Sequence, residues 1–129
     1  MLKRDFIMVQ IEELGKVIAQ IINQRNTDAA RTNPDLIGSV YTSLKIDHEY
    51  MMDHSPKEIR LFLDGEDNAG LQRMEIAAKL LIEEAYLHTE KQHEIREKAK
   101  EILQYIQLHD ITFSIERVQL LNELADQLS

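Results

Sequence analysis

The chain of 129 residues contains no cysteine, which excludes disulfides and thiolate metal sites. A cysteine-free chain also fits a reducing compartment. Basic residues are scarce: 15 against 23 acidic ones leave a net charge of −8. Such a chain repels phosphate backbones, so no nucleic-acid partner is expected. The basic clusters that could override this are Lys3–Arg4 and the Arg96–Lys98–Lys100 run. The latter is interleaved with Glu94, Glu97 and Glu101 and reads as a solvated, self-paired face. No stretch approaches about 18 uncharged apolar residues, so no membrane span is expected. After Met1-Leu2-Lys3-Arg4, the residues Glu12, Glu13 and Lys16 interrupt what a secretory signal would need. The expected location is cytoplasmic. Neither a Gly-x-Ser-x-Gly elbow nor a phosphate-cradling glycine loop occurs.

Proline and glycine are few, two and four, and they punctuate the chain. The first helix is expected from about Arg4 to Arg25. Its seam of Ile7, Ile11, Leu14, Ile18 and Ile21 repeats 4-3-4-3. Phe6, Val9, Val17 and Ile22 widen the seam, and Asn26 to Asn33 reads as a loop. Asn33-Pro34 restarts a helix, with Asn as cap and Pro at the first position. Its stripe is Leu36, Ile37, Val40, Tyr41 and Leu44, ending near Asp47. A turn around Glu49 to Met52 follows. Ser55-Pro56-Lys57-Glu58 has the pattern of a capping box and opens a short helix that Asp64-Gly65 ends.

Three longer helices follow. The first spans about Asn68 to Leu87, with one stripe in Leu71, Met74, Ala78, Leu81 and Ala85 and a second in Ala77, Leu80 and Ile82. Two stripes predict a central helix. The next spans about Glu90 to Leu108, with Ile95, Ala99, Ile102, Leu103 and Ile106 inward and a Glu94–Lys98 pair outward. Ser114 caps the last, with a Phe113–Val118 staple spacing and Val118, Leu121, Leu124, Ala125 and Leu128 inward. No run alternates as a strand would. The expected fold is all-α, a compact multi-helix domain over 1–129. Residues 1–26 form an N-terminal amphipathic helix for docking or oligomerisation, 34–63 short helices, and 68–129 a three-helix part.

The segment from Ala77 to Leu124 resembles a tetratricopeptide arrangement. Ala85 and Ala99 stand where two packed helices approach closely, with Leu81, Leu103 and Ile106 around them. The connection between the two alanines is longer than that pattern has. Its aromatic and glycine positions are not filled, and no second copy recurs at a fixed period. The whole chain is similar to a family of short, uncharacterised bacterial helical proteins through Lys3-Arg4-Asp5-Phe6-Ile7-Met8, Ala78-Lys79-Leu80-Leu81-Ile82-Glu83-Glu84-Ala85 and Thr112-Phe113-Ser114-Ile115-Glu116-Arg117. That resemblance implies a helical, tetratricopeptide-like fold with antiparallel hairpins in the C-terminal half. It carries no activity, so no functional residue transfers.

One stretch has the outline of a calcium loop. An EF-hand places oxygen ligands at positions 1, 3, 5 and 12, with glycine at 6 and an aliphatic at 8. Counted from Asp64, the chain offers Asp64, Glu66, Asn68 and Glu75, with Leu71 at 8, but Ala69 at 6 and Gly70 one place late. The competing reading is an acidic linker in which Asn68 caps the next helix. Glu90-x-x-His93 has the spacing of di-iron bundles but occurs once, where those sites need two copies and two further glutamates. His48 and His54 lie near Asp47, Glu49 and Asp53 without a zinc-ligand spacing, and read as a solvated loop. Met8, Met51, Met52 and Met74 read as core fillers.

The resulting expectation is a cytoplasmic protein-interaction module. A groove between the helices near Leu71–Leu87 and Glu90–Leu108 would take a protein or peptide partner. The alternatives are a structural homo-oligomer through the N-terminal helix and a calcium- or metal-binding helical protein. Enzyme activity is disfavoured, with no catalytic residue assigned and no cofactor implied.

Overall fold

In a computed structural model the chain is all-α. The structure describes residues 2–27 and 33–129, with side chains from residue 9 onward. Phe6, Ile7, Met8 and the Lys3–Arg4 side chains therefore lie outside the described residues, as do positions 28–32 of the expected loop. Among the described residues there are seven α-helices and no strand. They are α1 (Leu2–Thr27), α2 (Pro34–Leu44), α3 (His48–Asp53), α4 (Pro56–Asp64), α5 (Gly70–Ala85), α6 (Gln92–His109) and α7 (Ile115–Leu128), with one 3-10 turn at Thr89–Lys91.

The caps explain the boundaries. The Asn33 side chain accepts from the amides of Asp35 and Leu36 at the start of α2. That helix ends at Leu44, earlier than Asp47, without a glycine. Lys45 takes the left-handed conformation (φ 59°) and donates to Thr42, while Ile46 donates to Tyr41. These two bonds form a Schellman motif whose following residue, Ile46, is buried. Asp47 then caps α3 by accepting from the Tyr50 amide at 2.8 Å, and fully buried Met51 anchors what the sequence presents only as a turn. Both arms of the Ser55–Glu58 capping box are present, at 3.0 and 3.2 Å. Ser114 accepts from the Arg117 amide at the head of α7.

Helix α5 is the centre. It packs against α1, α2, α4 and α6, and α7 packs on α6. Leu80, Leu81, Ile82, Glu83, Glu84 and Ala85 are all buried, which makes one helix buried on more than one face. Each large apolar side chain fully removed from water contributes about 1.5–3 kcal/mol. Met74, Leu80, Leu81, Ile95, Ile102, Leu103 and Ile106 supply most of this across α5 and α6. Gln92, the first residue of α6, donates to the carbonyl of Ala85, the last of α5. Helix α6 therefore starts where α5 ends, and their long shared contact requires the pair to run antiparallel.

The described part of the α1 seam lies against its own chain. Leu14, Ile18 and Ile21 are buried, Ile11 is half-buried, and Val9 is exposed. On α7 the inward stripe is thinner than the sequence suggests. Leu124 is buried, Val118, Leu121 and Leu128 are half-buried, and Ala125 is exposed.

The α4–α5 corner leaves no slack. Gly65 (φ 56°) and Asn68 (φ 57°) both take positive φ, so Asn68 turns the chain rather than capping α5. Asp64 does the capping instead, accepting from the Gly70 amide at 3.0 Å. A Cβ on Gly70 would lie 2.3 Å from Asp64 Oδ1 and 2.7 Å from the Arg60 carbonyl.

Candidate functional site

The acidic loop holds a cation of its own. Arg73 donates to both Asp67 oxygens at 2.8 and 2.6 Å and to the Leu63 carbonyl at 2.9 Å. Its guanidinium keeps the Asp67 carboxyl below its ordinary value. The four candidate calcium ligands are not gathered around a common point. Asp64 serves the Gly70 amide, Glu66 and Asn68 lie on the exposed turn, and Glu75 accepts from Arg117. Among the described residues, no group of three or more histidine or carboxylate side chains could hold a metal ion. His48 turns to Glu84 at 3.0 Å and His54 to the Tyr50 carbonyl. His93 faces Glu97 on the open surface of α6.

Two adjacent acids on α5 tie the N-terminal helices to the core. Glu83 accepts from Arg25 of α1 at 2.6 and 3.2 Å, and the Arg25 guanidinium also lies 4.1 Å from the Tyr86 ring centre. Glu84 accepts from the Tyr41 hydroxyl and faces His48. Burial and the Glu84 charge hold the Tyr41 hydroxyl far above its usual range, and the hydrogen bond to Glu84 raises the His48 imidazole. These side chains join elements, and Glu83, Glu84 and Tyr41 are all buried. The cations of α6 likewise reach outward instead of pairing along their own face. Lys98 donates to the His54 carbonyl at 2.6 Å, and Arg96 lies over Tyr86.

Small side chains line the core around α5 and α6. Ala77, Ala78, Ala85 and Ala99 are fully buried, and side chains this small let packed helices approach closely. A shallow apolar groove of about 270 Å³ lies elsewhere, lined by Ile18, Ala19 and Ile22 of α1, Ile82 of α5 and Leu120 of α7.

The strongest exposed feature is the turn from α6 to α7. Leu108 is 83% exposed, Ile111 103%, Phe113 70% and Ile115 65%. Four large apolar side chains lie open within eight residues, where isolated ones would need no comment. Phe113, read from spacing as the outer half of a staple, is mostly in solvent. The turn is nonetheless held firmly. Arg117 is only 4% exposed, and its guanidinium donates to Glu75 at 2.8 Å, Gln107 at 3.1 Å and Asp110 at 2.8 Å. The other Asp110 oxygen accepts from the Thr112 amide at 3.0 Å. One buried arginine thus binds α5, the end of α6 and the turn into a fixed platform. The sequence signalled the cap at Ser114 but not this arginine, because its partners lie 7, 10 and 42 residues away.

Comparison with protein-family models, with curated proteins and with solved structures finds no match. No helix among the described residues is long and apolar enough to cross a membrane.

Proposed function

We propose that this protein is a small cytoplasmic helical interaction module whose partner-facing surface is the α6–α7 turn. The observation that carries this reading is the combination at that turn. Leu108, Ile111, Phe113 and Ile115 are exposed on a backbone that Arg117 holds in place. Leaving such side chains in water has no benefit to folding, and a fixed apolar cluster is what a partner can bury with little ordering cost. The antiparallel α5–α6 pair, closely packed through buried alanines, supports a tetratricopeptide-like hairpin as the scaffold.

The test is site-specific crosslinking in cells, with a photoreactive phenylalanine analogue at position 111 or 113 and, as control, at exposed Asn122 of α7. The expected result is one discrete protein adduct from both turn positions, absent at 122 and lost when Ile115→Asp is added. Adducts at 111 and 113 no more discrete than those at 122 would overturn the reading.

A further inference from the structure

We propose that Glu84 and His48 form a pH-sensitive latch, which holds α3 on α5 while the imidazole is charged and lets α3 open locally once it is neutral.

Two neighbouring acids on α5 are answered in different ways. Glu83 and Glu84 are both buried, and a carboxylate out of water is stable only where charge or hydrogen bonds compensate it. Glu83 has Arg25, a cation at every physiological pH. Among the described residues, no lysine or arginine hydrogen-bonds or ion-pairs with Glu84. One of its oxygens, Oε1, meets both the Tyr41 hydroxyl and His48 Nδ1, the latter at 3.0 Å. Tyr41 donates without bringing charge. His48 is thus the cation that Glu84 has, and histidine is the side chain whose charge changes near neutrality.

The groups around this contact do not replace it. Glu49, on α3 itself, favours the charged imidazole, and Lys91 of the 3-10 turn opposes it. His88, on the connection after α5, has its ring centre 6.4 Å from that of His48. From α2 the facing group is Tyr41, on whose hydroxyl the Asp47 charge also bears.

Helix α3 is the element that feels the loss. It has six residues, too few to hold a helix alone. Its anchors are buried Met51, the His48 contact and the Lys98 bond to the His54 carbonyl just beyond its end. Helix α2 is held more broadly, through Ile37, Val40, Tyr41 and Leu44. Because the folded state raises the His48 imidazole, the latch is complete below about pH 6.5. It is released as pH rises through the higher folded value.

The test is amide exchange of the full-length chain between about pH 6 and pH 9. Rates are corrected for the intrinsic pH dependence of exchange, and His48 is titrated by NMR in the same samples. The Tyr50 and Met51 amides, both bonded to Asp47, should lose about fivefold in protection. The midpoint should coincide with the His48 titration, while the amides of α5 hold. His48→Gln can donate but never charges, so at pH 6 it should already show the protection the parent has at pH 9. His54→Gln, at the far end of α3 where the ring stacks on Tyr50, and His88→Gln should leave the midpoint in place. The latch is overturned if protection at Tyr50 and Met51 is constant, or falls no more than that of α5. It is equally overturned if the midpoint departs from the His48 titration, or if the fall survives His48→Gln.

Discussion

Helices α5 and α7 both carry apolar stripes in the sequence, two on α5 and one on α7, and the structure widens that difference. Between Leu80 and Ala85 every residue of α5 is buried, two glutamates included. On α7 the buried side chains are Leu124 and Arg117, and the most apolar stretch near it, Ile111 to Ile115, faces water. The difference lies in neighbours. Helix α5 has α1, α2, α4 and α6 around it, while α7 lies on α6. An amphipathic stripe says that a helix can be buried, and the number of elements around it decides how much of the stripe is.

If that contrast is sound, deleting bulk from α5 should have the largest effect. Leu81→Ala is expected to cost about 3 kcal/mol in urea denaturation, since Leu81 is fully buried and the cavity cannot collapse. A loss under about 1 kcal/mol would show that α5 is not the centre. Arg117→Met should cost about 2 kcal/mol. It strands Glu75 and Asp110, which are partly open to solvent, and it should speed amide exchange at Thr112 and Arg117 more than anywhere on α5.

His48→Gln probes the α5 acids through pH. The hydrogen bond to Glu84 raises the His48 imidazole in the folded state. Its contribution is thus complete below about pH 6.5, the ordinary histidine value. It is lost as pH rises through the higher folded value. The variant should be less stable than the parent by up to about 1 kcal/mol near pH 6, because solvent at the partly exposed imidazole screens what a buried charged hydrogen bond would contribute. The gap should narrow toward pH 9. A gap that widens with pH would contradict the contact.

Gly15→Ala should stabilise the chain by about 0.5–1 kcal/mol, because a helical glycine is costly and an added Cβ meets nothing within 4 Å. Phe113→Ser, assayed at low concentration, should change stability by less than about 0.5 kcal/mol. A larger loss would place Phe113 in the fold instead of on its surface.

Most of the helices were legible in the sequence because their signals are local. Asn33-Pro34, Ser55-Pro56 with Glu58, and Ser114 each act within four residues. The buried stripe of α6 follows from spacing alone, and all five residues read as inward are inside. What escaped was non-local or unsigned. The left-handed Lys45 carries no glycine to announce the end of α2. Arg73 supplies a cation to the acidic loop, and nothing in the spacing places its guanidinium there. The alanines that hinted at closely packed helices are fully buried. The apolar turn was misread because Phe113 has staple spacing, and spacing does not report whether a second side chain reaches it.

The corner at Gly70 has a consequence for sequence variation. Even one methyl group there would overlap a carboxylate and a main-chain carbonyl of α4; the carboxylate cannot withdraw without releasing the amide that Asp64 caps, and the carbonyl is part of the helix backbone. Any descendant of this chain that keeps the bend must keep glycine at that position, however far its surface drifts.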